Sequence, residues 1–334
     1  MLRLLVTGGC GFIGKNFIRL MVAVRPDISI LNVDCLTYAG NTIGLPPEGD
    51  QYQWKKVDIW DRPAIEPLMQ GVDAVVHFAA ESHVDRSILD PSVFVRTNVL
   101  GTQVLLDSAL KADVGTFVQI STDEVYGSLE LVDPPFSETT PVAPRSPYSA
   151  SKAAADHLAI AYHHTYGMDV RIMRCSNNYG PYQFPEKLIP LAIVHATAGQ
   201  PIPVYGDGLQ RRDWIHVDDH CRAVLSVLEK GRAGEVYNIG ANEEMENLEL
   251  VRTILREVGE SDGLISFVKD RPGHDRRYAM DASKARRELG WAPERDLATG
   301  IGETIAWYRA HRDWWDPLLG EGFRDYYRRQ YEER

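Results

Sequence analysis

The sequence predicts an α/β chain: a doubly wound, mostly parallel sheet joined to a smaller α+β domain. Three observations predict it. The chain opens on a short apolar run, Leu2–Val6, that breaks into Thr7-Gly8-Gly9-Cys10-Gly11-Phe12-Ile13-Gly14 and then into an amphipathic stretch, Lys15–Val24. That is the strand, tight turn and helix of a mononucleotide-binding half. Strand-like runs then recur at Ile28–Val33, Tyr52–Val57, Asp73–Phe78, Thr116–Ile120 and Asp169–Cys175, with helical spacing over Val93–Leu110 and after Tyr148. Strands alternating with helices form βαβ units. Finally, Pro181 and Pro185 interrupt the pattern just past Cys175, where the chain is expected to leave the first domain. The resulting division is a Rossmann-type domain over 1–176, a return to it over 212–240 through the helical stretch Val217–Leu228, and a second domain over most of 177–334.

Each element of the first half has a reason. Glycines at 8, 11 and 14 form a G-x-x-G-x-x-G variant of the dinucleotide fingerprint. Gly8 permits the turn, Gly11 the close approach of backbone to a pyrophosphate, and Gly14 close helix–strand packing. The second strand ends in Asp34, twenty residues past Gly14, where an acid hydrogen-bonds the adenosine ribose. An acid there disfavours a 2′-phosphate, so NAD is expected rather than NADP. The third strand ends in Asp58-Ile59, placed to meet an adenine amino group. The fourth exits into Ala79-Ala80-Glu81-Ser82, small enough for a cofactor to lie against backbone. His77 is expected to be a packed sheet residue, and Asn98 and Thr102 to lie on the polar side of their helix.

Composition excludes several function classes. The chain has 334 residues, a formal net charge of −11, 44% hydrophobic and 25% charged residues. Such a balance argues against bulk binding of nucleic acid or of an anionic membrane, so an anionic ligand needs a local basic pocket. The four cysteines, at 10, 35, 175 and 221, form no C-x-x-C pair, so neither zinc nor any other metal site is expected and reduced cytoplasmic thiols are the simplest reading. No signal-peptide pattern and no membrane-spanning run is expected.

Two stretches carry chemistry. The fifth strand should end in Ser121-Thr122-Asp123-Glu124, at the sheet edge where open α/β folds bind ligands. In a continuing strand Asp123 and Glu124 would face opposite ways, so the chain must leave strand geometry at Thr122 for both to reach one ligand. Further on, Ser146-Pro147-Tyr148-Ser149-Ala150-Ser151-Lys152 sets Tyr148 and Lys152 four apart on one helix face. A tyrosinate is a useful base for an alcohol, yet bringing a free tyrosine from about 10 to about 7 requires roughly 4 kcal/mol. Lys152 and the positive nicotinamide ring are expected to supply it.

With these motifs the sequence resembles the extended short-chain dehydrogenase/reductases and, within them, the dTDP-glucose 4,6-dehydratases. The resemblance runs from Leu2 to about Trp291 and is carried by Ala79–Ser87, which reads AAESHVDRS, and by Ser121–Gly127, which reads STDEVYG. Related epimerases mostly lack the Asp-Glu pair. The resemblance implies NAD contacts from Gly8, Gly11, Phe12, Ile13, Gly14, Asp34, Leu36, Thr37, Asp58, Ile59, Ala79, Ala80, Ser82, Thr97, Tyr148 and Lys152. It implies nucleotide-sugar contacts from Ser82, His83, Arg86, Thr122, Asn177, Lys187, Leu188, Pro203, Tyr205, Arg212, Asn247, Arg271, His274 and Tyr278, making the second domain mainly a nucleotide-sugar-binding one. Arg212 matches a diphosphate-binding position, and the run Arg271–Tyr278 supplies a basic cluster for the same anion. Catalysis would fall to Thr122, Asp123, Glu124, Tyr148 and Lys152: C4 oxidation of dTDP-glucose, loss of water across C5 and C6, and return of hydride to C6. Two crowded carboxylates suit that elimination because ionising one raises the pKa of the other. The alternatives are a C4 epimerase of nucleotide sugars and a non-catalytic nucleotide-binding protein on the same scaffold. A homodimer through the helices around Val93–Leu110 and Tyr148–Tyr166 is expected. The aromatic C-terminal segment, Trp307–Arg334, is read as packing against the second domain or a subunit partner.

Overall fold

Side chains of the first strand, β1 (Leu2–Thr7), alternate between two apolar faces: Leu4 and Val6 join one buried cluster and Leu5 the other. A strand buried on both faces belongs inside a parallel sheet. In the computed structural model, which describes residues 2–333, β1 lies within an all-parallel sheet of seven strands. The others are β2 (Ile28–Asp34), β3 (Tyr52–Lys56), β4 (Ala74–His77), β5 (Thr116–Thr122), β6 (Val170–Cys175) and, after three strands of the second lobe, β10 (Val236–Ile239). Their order is β10-β6-β5-β4-β1-β2-β3. The order reverses at β1 and β4, and the crevice beyond the carboxyl ends of the strands at that reversal is where such sheets hold ligands.

Helices cover both faces. Phe12–Val24 and Val217–Lys230 pack on one side with Phe17, Val224 and Trp291 in the same cluster; Thr102–Lys111 and Pro147–Tyr166 pack on the other around Leu105, Phe117 and Ile172. Strand and helix limits fall within a few residues of the expected ones. The stretch Val93–Leu110 differs more. It is a continuous helical run whose middle, Val95–Gly101, is a π-helix. The wide turn moves Asn98 and Thr102 inward. They are buried, not on a solvent-facing polar side: Asn98 bonds both backbone polar groups of Glu81, and Thr102 lies 3.0 Å from His77. His77 is a packed sheet residue, bonded also to Thr7 at 2.7 Å.

The second lobe holds a three-stranded sheet and a two-stranded one. β7 (Asn177–Tyr179) and β11 (Glu244–Glu246) flank β9 (Arg211–His216), while β8 (Ile202–Tyr205) pairs with β12 (Ile265–Val268). Its core gathers Ile193, Trp214, Leu255 and Ile305, and includes Trp314 and Trp315. The tryptophans of the C-terminal segment thus pack within this lobe. The last helix, Glu321–Tyr331, lies against β8 and the short helix Val84–Leu89 that follows β4.

Candidate active site

The glycine loop explains the first wall of the site. Gly8 has φ +71, and a Cβ there would lie 2.5 Å from the Ala79 backbone nitrogen, so β4's exit leaves no room for a side chain. A Cβ on Gly14 would lie 2.4 Å from the Gly8 carbonyl oxygen. The helix beginning at Phe12 is capped by Gly11 with no side-chain acceptor and no acid in its first turn. Its unspent N–H groups and dipole are therefore available to a phosphate. Asp34, buried at the end of β2, accepts from the Cys10 and Leu36 amides at 2.9 and 2.8 Å and so holds the loop in shape. Leu36 takes φ +55 to make that contact.

A cavity of about 430 Å³ runs from this loop to the end of β5. It is lined by Gly8, Gly11, Phe12, Ile13, Gly14, Asp34, Thr37, Asp58, Ile59, Ala79, Ala80, Ser82, Thr97, Tyr148 and Lys152, every residue expected at NAD except Leu36, whose backbone serves Asp34 instead. The adenosine-end acid, the bare helix N-terminus and the small exit at Ala79-Ala80 fit a dinucleotide.

At the other end of the cavity β5 stops at Thr122, and a 3₁₀ turn, Asp123–Tyr126, follows at once. That is the departure from strand geometry both carboxylates require. The Thr122 hydroxyl accepts from the Glu124 amide at 3.2 Å and donates to Asp123 Oδ1 at 3.2 Å. Asp123 Oδ2 is buried without a partner. Burial pushes the Asp123 carboxyl well up, and the Glu124 charge adds to it. Burial also raises Glu124, and Arg271, Lys187 and Arg212 offset only part of that rise. The two acids therefore differ in proton affinity, with Asp123 the readier to keep its proton.

Tyr148 and Lys152 sit on the helix Pro147–Tyr166, which starts with a capping box between Ser146 and Ser149. Both line the cavity and both are buried. Lys152 Nζ donates to the Ile120 carbonyl at 2.7 Å, and the Tyr148 hydroxyl is pushed well above its usual range by burial and then by Glu124. Thr122 lowers it as a hydrogen-bond partner. Lys152 thus ties helix to strand. Two turns along from Tyr148, Asp156 pairs with Arg174 of β6 at 2.9 Å, both fully enclosed, and fixes the same helix to the sheet.

Of the residues expected at the nucleotide sugar, Ser82, Thr122, Asn177 and Lys187 line this cavity. Leu188 follows Lys187 at the start of a helix. The others stand in the second lobe or at the short helix Val84–Leu89 after β4, which His83 caps. Arg212 lies over the Tyr278 ring at 4.2 Å and donates to the Asp275 carbonyl at 2.9 Å. Asn247 Oδ1 and Arg271 Nε are buried and unpartnered. Pro203 and Tyr205 belong to β8, with His274 near the Tyr205 ring. His83 is buried and its imidazole is held neutral by burial, with a pKa lowered to about 4. Arg86 is already engaged: it pairs with Glu186 at 3.0 Å and lies over the Tyr38 ring. Sequence reasoning passed over Tyr38, Glu81 and Glu186, which line the cavity. Tyr38 and Glu186 are joined by a 2.6 Å hydrogen bond. Their positions beside Thr37 and Lys187 were the available signal.

A dinucleotide crevice with a Tyr–Lys pair at the catalytic end of a doubly wound sheet defines a short-chain dehydrogenase/reductase. Within that class, the family model described as GDP-mannose 4,6 dehydratase matches residues 5–304. A dTDP-glucose 4,6-dehydratase of Streptomyces griseus is 53% identical over 96% of this chain and 98% of its own. One from Escherichia coli is 47% identical over 95% and 96%. The chain belongs to the dTDP-glucose 4,6-dehydratase family. A crystal structure of such an enzyme from Streptomyces venezuelae, with NAD bound, superposes with a TM-score of 0.92 at 50% identity, covering 95% of this chain and all of that one. A UDP-glucose 4-epimerase of Thermotoga maritima shares the fold with a TM-score of 0.86, covering 92% of this chain and 99% of its own, but at only 29% identity.

Proposed function

We propose that the protein is an NAD-dependent dTDP-glucose 4,6-dehydratase that forms dTDP-4-keto-6-deoxyglucose. The observation that carries the reading is the pair of carboxylates at the end of β5, Asp123 buried and Glu124 half-buried on the cavity wall, one more proton-retaining than the other, beside Tyr148. An epimerase that only oxidises and reduces C4 has no work for a second acid. NAD bound along the glycine loop supplies reversible hydride acceptance and a positive ring that favours the tyrosinate.

The residues divide the proton work. Tyr148 Oη takes the C4 hydroxyl proton, with the Thr122 hydroxyl as hydrogen-bond partner. A C4 ketone acidifies the C5 proton, which a Glu124 carboxylate oxygen removes. Asp123 delivers its proton to the departing C6 hydroxyl, so one water leaves. Lys187, Arg212 and Arg271, the cations that partly offset the rise at Glu124, are the natural partners for the substrate's diphosphate. The return to the cofactor domain, expected over 212–240, starts later: β9 (Arg211–His216) pairs within the second lobe, and the helix Val217–Lys230 and β10 carry the chain back to the seven-stranded sheet.

Two variants test the assignment. Tyr148→Phe should stop oxidation, leaving cofactor absorbance unchanged on adding dTDP-glucose. Glu124→Gln should permit the absorbance change of hydride transfer yet release no dehydrated sugar. Normal turnover by both would remove the mechanism.

The chain also carries apolar side chains on the surface beside the catalytic helix: Leu89 is 63% exposed, Val95 55% and Leu100 47%. They suit a second copy of the chain packed helix to helix, and a monomeric mass by light scattering would refute that. A cytoplasmic setting accords with four unpaired cysteines, and no helix among the described residues is long and apolar enough to cross a membrane.

A further inference from the structure

The side chains expected to hold the nucleotide half of the substrate are braced from behind by the last helix, Glu321–Tyr331. Asp85 is the centre of the brace. Its carboxylate, 3% exposed, receives Arg271 Nη1 at 3.3 Å on one oxygen and, on the other, the Tyr205 hydroxyl at 2.9 Å and the Tyr326 hydroxyl at 3.4 Å. A phenol has one proton to give. Tyr205 gives it to Asp85, and its lone pair is taken by Gln330 Nε2 at 2.7 Å. The chain of contacts therefore runs from Gln330 through Tyr205 to Asp85 and on to Arg271. Arg271 spends one edge on Asp85 while its Nε stays buried and unpartnered. An arginine gripped at one edge presents the rest of its fork in a fixed direction.

A second contact runs beside the first. The Arg86 guanidinium sits between two rings, 3.8 Å from the Tyr38 centroid and 4.4 Å from that of Tyr326. It pairs with Glu186 on the cavity wall. Tyr326 also meets the His83 ring edge-on. One helix thus touches the supports of His83, Arg86, Tyr205 and Arg271, residues drawn from segments up to 243 positions away by number, from His83 to Tyr326.

We infer that Tyr326 and Gln330 are positioning residues for substrate affinity, acting through Asp85 and Tyr205 on the arginine that meets the nucleotide diphosphate. The inference rests on the nucleotide-sugar reading above. Neither residue touches the reacting carbons, so the loss should appear equally in ground state and transition state: KM rises and kcat holds.

The test uses the full-length protein. Gln330→Ala removes the donor and the bulk; Gln330→Met keeps most of the bulk and removes the donor without adding a charge. Losing one hydrogen bond of this kind corresponds to roughly a three- to tenfold change in affinity. Both variants should raise KM for dTDP-glucose by that factor and weaken dTDP binding by calorimetry to match. The kcat and the bound NAD should stay within about twofold of the parent. Tyr326→Phe keeps the ring under Arg86 and removes only the hydroxyl; it should raise KM by less, and it serves if changes at Gln330 impair folding. A Gln330→Met protein with parental KM and dTDP affinity, beside a Gln330→Ala protein that is merely less stable, would make the helix a packing element and overturn the inference. Failure of the parent itself to turn over dTDP-glucose would instead overturn the function on which the inference rests.

Discussion

The catalytic end of the cavity and the wall around Asp85 hold buried charge in opposite ways. At the end of β5 the acids are left short of partners: Asp123 Oδ2 has none, and burial raises both carboxyls. Around Asp85 the carboxylate is saturated with donors; burial pushes its pKa up, but Arg271 and its neighbours bring it below the usual range. The first arrangement costs stability and makes proton transfer available. The second spends its hydrogen bonds on holding an arginine still. Proton transfer and the holding of Arg271 thus fall to different carboxylates.

The largest expected effect breaks the catalytic end. Tyr148→Phe and Glu124→Gln should each lower dehydration by roughly two to four orders of magnitude, the usual range for a lost acid or base, while dTDP affinity stays near parental. A stopped-flow assay beside calorimetry would check both. Loss of affinity equal to the loss of rate would erase the separation.

Next comes the scaffold under that end. Asp156→Ala strands the Arg174 guanidinium in the interior, at a cost of about 3–5 kcal/mol in urea unfolding. A change under 1 kcal/mol would mean the catalytic helix is held otherwise.

Acid should then distinguish the regions. His83 and His220 have folded pKa values lowered to about 4 and about 3 by burial. The unfolded chain takes up these protons first, so their contribution to stability is full above about pH 6.5 and declines as pH falls toward those values. For His83 the shift from 6.5 corresponds to about 3 kcal/mol. His83→Gln should flatten the decline between pH 6.5 and 4 in thermal melts; an unchanged slope would show that His83 is not held neutral.

The smallest effect has the opposite sign. Asp123 has a raised folded pKa, so it opposes folding at neutral pH and does so less as pH falls toward its unfolded value. Asp123→Asn should therefore lose activity and gain thermal stability near pH 7, with the gain shrinking in acid. A less stable Asp123→Asn protein would contradict the account of that end.

The two regions also differ in how they read from sequence. The catalytic end lies within Ile120–Gly127 and Ser146–Lys152, short stretches whose chemistry and spacing are visible together. Strand alternation and the glycine spacing placed the sheet for the same reason: the signals are local. The Asp85 brace joins the helix Val84–Leu89, β8, the Arg271 loop and the last helix. No spacing rule links Asp85 to Gln330, so the C-terminal segment read only as packing. The Lys152 contact with Ile120 was equally invisible, because a backbone carbonyl carries no residue identity.

One incubation tests the central claim, that the end of β5 performs an elimination. The purified protein would be mixed with dTDP-glucose in deuterium oxide and the product followed by proton NMR and mass spectrometry. The account predicts loss of one water and one solvent deuterium at C5. An inverted C4 with water retained, and no deuterium at C5, would contradict it.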